Sequence, residues 1–502
     1  MKILLDTNIV IHREASKGVS EDIGTLFRWI DNLHYDKYIH PDTVAEIHQY
    51  ENPQTKLGLR IKLENYNVLR TTAPIGTEIA SISQKYDRTA NDIIDTGLLN
   101  EVFSGRVDFL VSEDRKIAQK AQELNISNRV FSINSFLEKM VSENPDLVDY
   151  RVLSVKKEYF GNINLNDEFF DSFREDYEGF DRWFTKKSQE TAYVAKDGAS
   201  IIAFLYVKVE KEDEPYNDIF PAFTRKRRLK IGTFKVVLNG FRLGERFLKI
   251  IFDNAINYSV DEIYVTIFDQ SLEQKRLIDL FQDYGFQNWG VKESSSGEEA
   301  VYVRNFVRKS MQSIPKITYP FFSSETNAFL VSIYPEYHTN LLPDSILRTE
   351  SPSEFVEMTP FRNSISKVFI SRSYERRLSS GDVIIFYRTG GRYKSVITTI
   401  GIVESVVDGI NSAPEFIEIC RKRSVFTDKE LMEQWNFKPQ YRPFIVNFLY
   451  VYSFPKRINL DQLIELGVIK DIESAPRGFV KISKENFIDI IRETSTDTRY
   501  IV

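Results

Sequence analysis

Four acidic residues in the first third of the chain have the types and positions that phosphodiester chemistry requires. Asp6 and Asp114 each follow a short apolar segment, whereas Glu46 and Asp95 fall in segments with helical periodicity. Because the carboxyl ends of parallel strands open into one crevice, acids placed there can converge. Clustered oxygen donors favour a hard cation, Mg²⁺ or Mn²⁺, which activates water and stabilises charge on phosphoryl oxygens. The four acids are therefore candidate catalytic residues and metal ligands.

Each acid also has a structural interpretation. Asp6 and Asp114 fit helix N-caps, and Glu46 fits the last position of a capping box that begins at Thr43. Taken singly, each of these three acids is explained by helix capping. Taken together, four acids at the ends of successive strands and helices favour a metal site.

Asp92 and Asp95 compete for one position in this set. Asp92 lies three residues after Thr89, which is the spacing of a capping box. An aspartate that caps a helix is occupied, and Asp95 lies beyond the first turn. Asp95 is therefore the preferred ligand, and Asp92 is the neighbouring candidate.

The elements that must position these acids alternate short strands with amphipathic helices over residues 1–144, which predicts an α/β domain with a parallel sheet. A polar segment with a proline, residues 143–146, marks a boundary. Residues 151–308 form a second predicted α/β domain, with an early helical part at residues 168–184. Residues 323–502 are dominated by strands and predict a small β-barrel with peripheral helices. The predicted fold class is multidomain α/β and α+β.

The acids and their flanking residues resemble the PIN-domain family. The resemblance rests on residues 3–8, Glu46, residues 95–99 and residues 108–114, in that order. It implies a metal-dependent ribonuclease in which Asp6, Glu46, Asp95 and Asp114 bind one or two Mg²⁺ or Mn²⁺ ions. Glu113 and Asp92 depart from the pattern, and they leave the third and fourth ligands open to a shift of a few residues.

Residues 238–248, between a predicted strand and a helix, and residues 281–286 together resemble the GNAT acetyltransferase family. The resemblance implies a mixed sheet and an acetyl-CoA site at the start of that helix. The implied cofactor contacts are Leu243, Gly244, Glu245, Arg246 and Gln274.

The GNAT-like region also departs from the family pattern. Asn239 and Arg242 stand at two loop positions where the family has other residues, and Phe281 replaces the tyrosine that often acts as the general acid. Phenylalanine has no proton to donate. Gln274 stands where the family usually has an asparagine that contacts CoA. The region is therefore either an acetyl-CoA binder with a different acid or a catalytically silent scaffold.

Residues 380–387 and 399–403 resemble the PUA-like barrels of the ASCH and EVE families, which implies an RNA or modified-base ligand. Tyr374 and Trp435 lie beside basic residues, an arrangement that single-stranded RNA uses for stacking. His338 is a candidate ligand contact, although a lone histidine is commonly structural. The candidate nucleic-acid contacts are the basic residues of three local patches: Arg225, Lys226, Arg227, Arg228, Arg372, Arg376, Arg377, Arg421 and Arg423. Solvated surface loops are the alternative interpretation of these patches.

Composition limits the remaining classes. The 502 residues suggest about three domains, and the 42% hydrophobic content suffices for several cores. The single cysteine excludes a disulfide framework and a Cys-rich zinc module. A net charge of −6 gives no global attraction for polyanions, so nucleic-acid contacts must be local. We expect a cytoplasmic protein with no signal peptide and no membrane span.

The main functional prediction is a metal-dependent endoribonuclease. The family resemblance alone implies that it acts as a toxin or a defence effector. The other two domains would select the RNA, with tRNA among the candidates, or control activity. An antitoxin or regulatory protein is an expected partner, and a homodimer is the default assembly. One alternative is an acetyl-CoA-dependent N-acetyltransferase acting on RNA, aminoacyl-tRNA or protein, with the first domain as a binding unit. Another is a non-catalytic RNA-binding regulator.

Overall fold

The computed structural model describes residues 1–14, 21–48, 62–143, 155–197, 200–237, 243–306, 314–345, 364–391, 395–420 and 423–502. The chain divides into two compact units, residues 1–148 and 149–502. The first unit ends at Val148, whereas the sequence prediction places the end of the first domain at residue 144, and most of the boundary segment 143–146 lies outside the described residues. The two regions predicted to follow as separate domains belong to one unit.

The first unit is built on a parallel sheet of five short strands. In chain order the strands are β1 (Lys2–Leu5), β2 (Asp36–Ile39), β3 (Asn67–Val68), β4 (Phe109–Val111) and β5 (Val130–Phe131). Their spatial order is β3-β2-β1-β4-β5, and every pairing is parallel. The predicted parallel α/β architecture is confirmed, with β1 at the centre because its three residues after Lys2 are apolar and fully buried.

The helices of the first unit connect these strands. In the described residues they are α1 (Thr7–Glu14), α2 (Glu21–Asn32), α3 (Pro41–His48), α4 (Thr77–Tyr86), α5 (Ala90–Phe103), α6 (Arg115–Glu123) and α7 (Ile133–Glu143). The capping box predicted at Thr89 and Asp92 is present and starts α5. The capping box predicted at Thr43 is wrong, since α3 begins at Pro41 and Thr43 lies inside it, where its hydroxyl bonds to that of Thr7.

The second unit begins with a mixed sheet. Its strands are β6 (Val155–Tyr159), β7 (Thr191–Asp197), β8 (Ser200–Glu210), β9 (Ile219–Phe220), β10 (Arg228–Val236), β11 (Glu262–Ile267), β12 (Gln287–Ser294) and β13 (Gly297–Asn305). The spatial order is β6-β7-β8-β10-β11-β13-β12-β9, and β10 with β11 is the parallel pair. The helical part predicted at residues 168–184 is interrupted, because Gly179 takes φ +80° between two short helices.

The helices around this sheet are α8 (Asp171–Asp176), α9 (Phe180–Lys186), α10 (Leu243–Tyr258) and α11 (Leu272–Asp283). The crossover from β10 to β11 runs through α10, as a parallel pair requires. The strand–helix–strand–helix order predicted for residues 232–284 is confirmed, with ends that shift by a few residues.

The last region contributes a second mixed sheet. Its strands are β14 (Ala328–Ile333), β15 (Ser366–Ser371), β16 (Val383–Arg388), β17 (Val396–Val407), β18 (Phe444–Asn459) and β19 (Phe479–Ile482). The order is β15-β18-β17-β16-β14-β19, with β14 and β16 parallel. Since β15 and β19 are the two edges, the described strands do not close on each other, and the PUA-like barrel stays a prediction. The helices are α12 (Pro315–Thr318), α13 (Pro335–Leu341), α14 (Ala413–Cys420), α15 (Asp428–Asn436), α16 (Leu460–Glu465) and α17 (Lys484–Glu493).

One apolar core joins the two sheets of the second unit. It runs from Leu229 and Phe252, around the first sheet, through Tyr319 to Ile400 and Leu449 in the second. A contiguous core of this kind makes the two regions one folding unit, since burial is the main stabilising term. This is why the linker predicted between them does not divide the structure.

Candidate functional site

Asp6 lies at the carboxyl end of β1 and is buried. Its Oδ2 accepts a hydrogen bond from Ser112 Oγ at 2.7 Å, and the Ser112 oxygen accepts one from the backbone N–H of Asp114 at 3.1 Å. Burial raises the pKa of Asp6, and the charges of Asp114 and Glu46 raise it further. The structure thus brings three of the predicted acids within electrostatic reach of one another.

Asp95 completes the set from the second turn of α5. Half-burial is the largest cause that raises the pKa of Asp95 to about 7, and the charges of Asp114 and Asp6 add to it. Lys120 opposes this shift but does not cancel it. Asp114 and Asp6 act on Asp95, and Glu46 acts on Asp6, so each of the four predicted carboxylates interacts with at least one of the others. We call Asp6, Glu46, Asp95 and Asp114 the acidic cluster.

The neighbouring acids have other roles. Asp92 accepts hydrogen bonds from Lys116 Nζ at 2.6 Å and from the backbone N–H of Thr89 at 2.9 Å, and these bonds hold its pKa below the ordinary value. Glu113 caps the start of α7 through the Ile133 N–H at 2.7 Å. Both residues are thereby occupied by these bonds, and the choice of Asp95 over Asp92 as a metal ligand stays a prediction.

Asp114 combines the two interpretations that the sequence left open. Its Oδ1 accepts from the backbone N–H groups of Lys116 at 2.5 Å and Ile117 at 3.3 Å, so it is the N-cap of α6. The same carboxylate raises the pKa of Asp6 and Asp95. The capping hydrogen bonds therefore hold the Asp114 carboxylate in one position, near Asp6 and Asp95.

The fit of a cation to the acidic cluster follows from these observations. Repulsion among the carboxylates is what a divalent cation would relieve. Within the described residues, however, no three His, Cys, Asp or Glu side chains are grouped closely enough to form a ready metal site. The donors have the right chemistry for Mg²⁺ or Mn²⁺, and they would have to draw together to hold it.

Sequence reasoning missed Ser112 as a member of this site. Its hydroxyl links Asp6 to the backbone of Asp114. The available signal was its position, at the end of a buried strand and two residues before a candidate ligand.

A second candidate site lies where β10 and β11 stop pairing. The two strands are hydrogen-bonded from Arg228–Glu262 to Ile231–Val265. Beyond this point, β10 pairs with β8 and β11 pairs with β13. We call residues 233–236 and 266–267 the unpaired part of β10 and β11. A bulge at Gly232 starts it, where a Cβ atom would lie 2.7 Å from Tyr206 Cδ1.

Polar side chains gather beside the unpaired part. Glu299 is 2% exposed. Its Oε1 accepts from Tyr177 Oη at 2.8 Å and from Thr266 Oγ1 at 3.1 Å, and its Oε2 accepts from Lys292 Nζ at 3.2 Å. Burial and the Glu299 charge raise the pKa of Tyr177 above its ordinary value, so this phenol stays protonated. No sequence motif connects these four residues, and the sequence analysis did not find them.

The structure gives the predicted cofactor contacts other partners. Glu245 Oε2 accepts from the backbone N–H groups of Ile365 at 2.9 Å and Ser366 at 3.1 Å, and Arg246 Nη1 donates to Asp344 Oδ2 at 2.7 Å. Both side chains thus join α10 to the last region.

The other three predicted contacts are also engaged. Leu243 is part of the core, and Gly244 faces Leu280, whose Cδ2 would be 3.0 Å from an added Cβ. Gln274 caps α11 and donates to Asp176 at 3.1 Å. The loop residues 238–242, including Asn239 and Arg242, lie outside the described residues.

The first basic patch is partly internal. Arg228 is fully buried, donates to Glu262 Oε2 at 2.9 Å and lies 4.1 Å from the centre of the Phe223 ring. Lys226 pairs with the same Glu262. The prediction that Arg228 contacts nucleic acid is wrong, because a guanidinium enclosed by an acid and a ring cannot reach a phosphate. Arg225 and Arg227 are exposed.

Of the two aromatic residues that were predicted to stack on RNA bases in the last region, only one is exposed. Tyr374 is 92% exposed, whereas Trp435 is 6% exposed and packs against Phe416 at 5.5 Å, so it cannot stack on a base. Arg423 donates to Ser366 Oγ at 3.0 Å. Arg421 lies outside the described residues.

His338 is fully buried, and its Nε2 lies 3.0 Å from Thr398 Oγ1. Burial and two nearby arginines, Arg388 and Arg457, lower the pKa of His338 well below its ordinary value, so it stays neutral. This agrees with the structural interpretation of a lone histidine.

The fold and these sites define the class: a two-unit α/β protein with a parallel-sheet unit that carries an acidic cluster and a larger unit with two mixed sheets. The sheet of residues 155–305, with one parallel pair among antiparallel pairs, agrees with the mixed sheet that the sequence predicted for this region. No helix of the described residues is long and apolar enough to cross a membrane.

Comparison with known proteins gives structural matches alone. No protein-family model matches the chain, and no curated protein matches it. Among solved structures, the chain is similar to an IAA acetyltransferase from Bacillus cereus ATCC 14579, with 16% identity, 30% of this chain and 96% of that chain covered, and a TM-score of 0.22. It is similar to aminoglycoside 6'-acetyltransferase type Ii, with 12% identity, 31% and 98% covered, and a TM-score of 0.23. A chain of the NatC complex bound to Gag peptide and CoA matches with 16% identity, 31% and 100% covered, and a TM-score of 0.22.

These matches cover about a third of the chain. TM-scores this low carry no argument for the whole chain, so the proposals below rest on the geometry. Nothing in the comparisons supports a PIN-like, ASCH or EVE identity, a ribonuclease or a toxin context, and these stay predictions.

Proposed function

We propose that the second unit binds acetyl-CoA at the unpaired part of β10 and β11 and acetylates an amine. The observation that carries the proposal is the interrupted pairing: two parallel neighbours share hydrogen bonds as far as Ile231 and Val265 and then pair only with their outer neighbours. At the carboxyl ends of such a parallel pair, the backbone N–H and C=O groups that no longer bond to the neighbouring strand can form hydrogen bonds with a ligand.

Acetyl-CoA, when bound, supplies an activated acetyl thioester. The chain's own contribution is the polar group beside the unpaired part. Thr266 is the first β11 residue beyond the shared pairing, and its hydroxyl bonds to Glu299. An acceptor ammonium at this place is attracted by the buried Glu299 carboxylate, which takes the proton that the amine must lose before it attacks. Tyr177 and Lys292 hold that carboxylate in position.

Calorimetry with the full chain tests the binding step. We expect acetyl-CoA to bind and to protect residues 233–236 and 266–267 from hydrogen exchange. No heat of binding at millimolar acetyl-CoA, or protection confined to other parts of the chain, contradicts the proposal.

A matched pair of variants tests the transfer step. Glu299→Gln keeps the shape and the bonds from Tyr177 and Thr266, whereas Glu298→Gln changes its exposed neighbour on β13. With spermidine, a lysine peptide and aminoacyl-tRNA as acceptors, CoA release should fall about 100-fold or more in Glu299→Gln and stay unchanged in Glu298→Gln. Equal rates in both variants contradict the role of Glu299.

A second candidate function is favoured by the acidic cluster of the first unit: metal-dependent cleavage of RNA. Its support is the placement of Asp6, Asp95 and Asp114 near one another: burial is the largest cause that raises the pKa of Asp95 to about 7, and the charges of Asp114 and Asp6 raise it further. Mg²⁺ or Mn²⁺ supplies charge stabilisation of phosphoryl oxygens and activation of water. Asp6, fixed by Ser112, and Asp114, fixed by the α6 N-terminus, would hold the cation with Asp95 and Glu46.

RNA cleavage with Mn²⁺, with and without EDTA, tests this function. Asp6→Asn should reduce the rate at least 100-fold, and Asp36→Asn, an exposed aspartate of the same unit, should leave it unchanged. Cleavage that persists in EDTA or in Asp6→Asn contradicts it. Because the two activities lie in different units, failure of one leaves the other standing.

A further inference from the structure

Two surface segments of the last region, residues 372–377 and 437–442, form a face of aromatic rings and cations. The rings of Tyr374 and Tyr441 lie 5.2 Å apart at an angle of 43°, and the Arg376 guanidinium lies 4.7 Å from the centre of the Tyr441 ring. Tyr441 Oη also donates to the backbone carbonyl of Ser373 at 3.3 Å. We call residues 372–377 and 437–442 the aromatic–arginine face.

Large apolar and aromatic surface is left uncovered on this face. Tyr374 is 92% exposed and Phe437 is 59% exposed. Two cations lie beside the Phe437 ring, with the Arg372 guanidinium 5.1 Å and Lys438 Nζ 5.4 Å from the ring centre. Exposed apolar patches that are rimmed by polar or charged groups mark interaction sites.

The positive charge of the face is only partly balanced. Arg376 pairs with Asp408 at 2.6 Å, and the exposed Arg377 pairs with Glu375 at 2.9 Å. The hydrogen bonds of Arg372 and Arg442 go to neutral acceptors, Gln434 Oε1 and the Trp435 carbonyl. The charge of Arg442 also lowers the pKa of Arg372, after burial. A polyanion would relieve this repulsion.

We propose that the aromatic–arginine face binds single-stranded RNA, with phosphates beside its cations and unpaired bases stacked on Tyr374 and Phe437. Stacking on exposed rings requires bases that are not already inside a duplex, and RNA loops and single strands offer them. An acidic peptide would satisfy the charges but leave the rings uncovered. This site lies outside the acidic cluster and the unpaired part of β10 and β11, and it does not depend on either proposed reaction.

Fluorescence anisotropy with a labelled oligouridylate of about twelve nucleotides tests the proposal, with EDTA present so that no divalent cation supports cleavage. Tyr374→Ala should weaken binding about 5- to 100-fold, the range that loss of one stacked base gives. Tyr374→Phe keeps the ring and should bind as the unmodified protein does. Since Tyr374 is almost fully exposed, its removal does not disturb the core.

Tyr334→Ala is the matched control, because Tyr334 is another tyrosine of the last region and is 66% exposed. It should leave the affinity unchanged. Lys438→Gln should reduce the slope of log affinity against log salt by about 0.7, the value for one phosphate of a single strand.

Three results would overturn the proposal: no binding of the oligouridylate, equal affinity of Tyr374→Ala and the unmodified protein, or binding of duplex RNA or polyglutamate as tight as that of the single strand. The last result would show that charge alone, without stacking, makes the contact.

Discussion

Replacing Asp95 by asparagine should stabilise the first unit at alkaline pH. The pKa of Asp95 is about 7 in the folded chain against an ordinary value of 3.8. Between these pH values the unfolded chain has lost a proton that the folded chain still holds, so the free energy of unfolding falls as the pH rises. Above pH 7 the ionised Asp95 lowers the free energy of unfolding by its full amount, which we call the penalty, and below pH 4 this penalty is absent.

The size of this penalty follows from the shift. Three pKa units correspond to about 4 kcal/mol at about 1.4 kcal/mol per unit. Because Asp95 is partly exposed, water reduces much of this penalty, and about 1–2 kcal/mol is the expected gain for Asp95→Asn at pH 8. At pH 4.5 the gain should fall to about a quarter of its value at pH 8.

Hydrogen exchange of α5 in the full chain, with EDTA present, measures the effect locally and separates the first unit from the second. Comparison of the variant with the unmodified protein at the same pH removes the intrinsic pH dependence of exchange. Asp36→Asn is the control for loss of one negative charge. In a separate measurement without EDTA, Mn²⁺ should protect α5 in the unmodified protein at pH 8 and do so less in Asp95→Asn.

Two results would refute the reasoning. One is a gain of the same size at pH 4.5 and pH 8, which would indicate better packing and no relief of charge. The other is a gain of similar size for Asp36→Asn, which would indicate a general charge effect with no role for the acidic cluster.

Three further changes follow from the packing. Gly232→Ala places a Cβ atom 2.7 Å from Tyr206 Cδ1 and should cost about 1–3 kcal/mol in denaturant unfolding. Lys120→Met removes the 2.7 Å ion pair to the buried Asp87 and should lower the free energy of unfolding by about 3–5 kcal/mol. The double variant with Asp87→Leu should recover much of this loss. A double variant that loses as much as Lys120→Met, or more, would contradict this. Burial raises the pKa of Cys420 to about 12, so the native chain should resist iodoacetamide at pH 8, and rapid labelling before unfolding would be the contrary result.

Local patterns in the first unit were sufficient to predict its architecture. The apolar strand that ends at Asp6 and the spacing of Thr89 and Asp92 depend on neighbours within a few residues. Propensity and capping act over that range, so these elements form where the sequence indicates. The same reasoning separated the capping Asp92 from Asp95.

Long-range partners decided where sequence reasoning failed. Arg228 stands in a dense basic run and is nevertheless buried, because Glu262, 34 residues further on, pairs with it. Glu245 and Arg246 stand at the start of a helix, where a phosphate could bind, but Ser366 and Asp344 reach them from the last region. Neither partner has a spacing that a local pattern records.

The sequence by itself determined which residues have the chemistry for a site and which strands and helices carry them. Those properties depend on side-chain type and on periodicity, which are written along the chain. Only the tertiary structure decided which groups meet, as when Ser112 holds Asp6, Glu299 gathers beside Thr266, and Tyr374 stays in water while Trp435 is buried. Burial and hydrogen bonding between distant segments depend on how the sheets pack, and the pKa values and exposed surfaces that make a site follow from that packing.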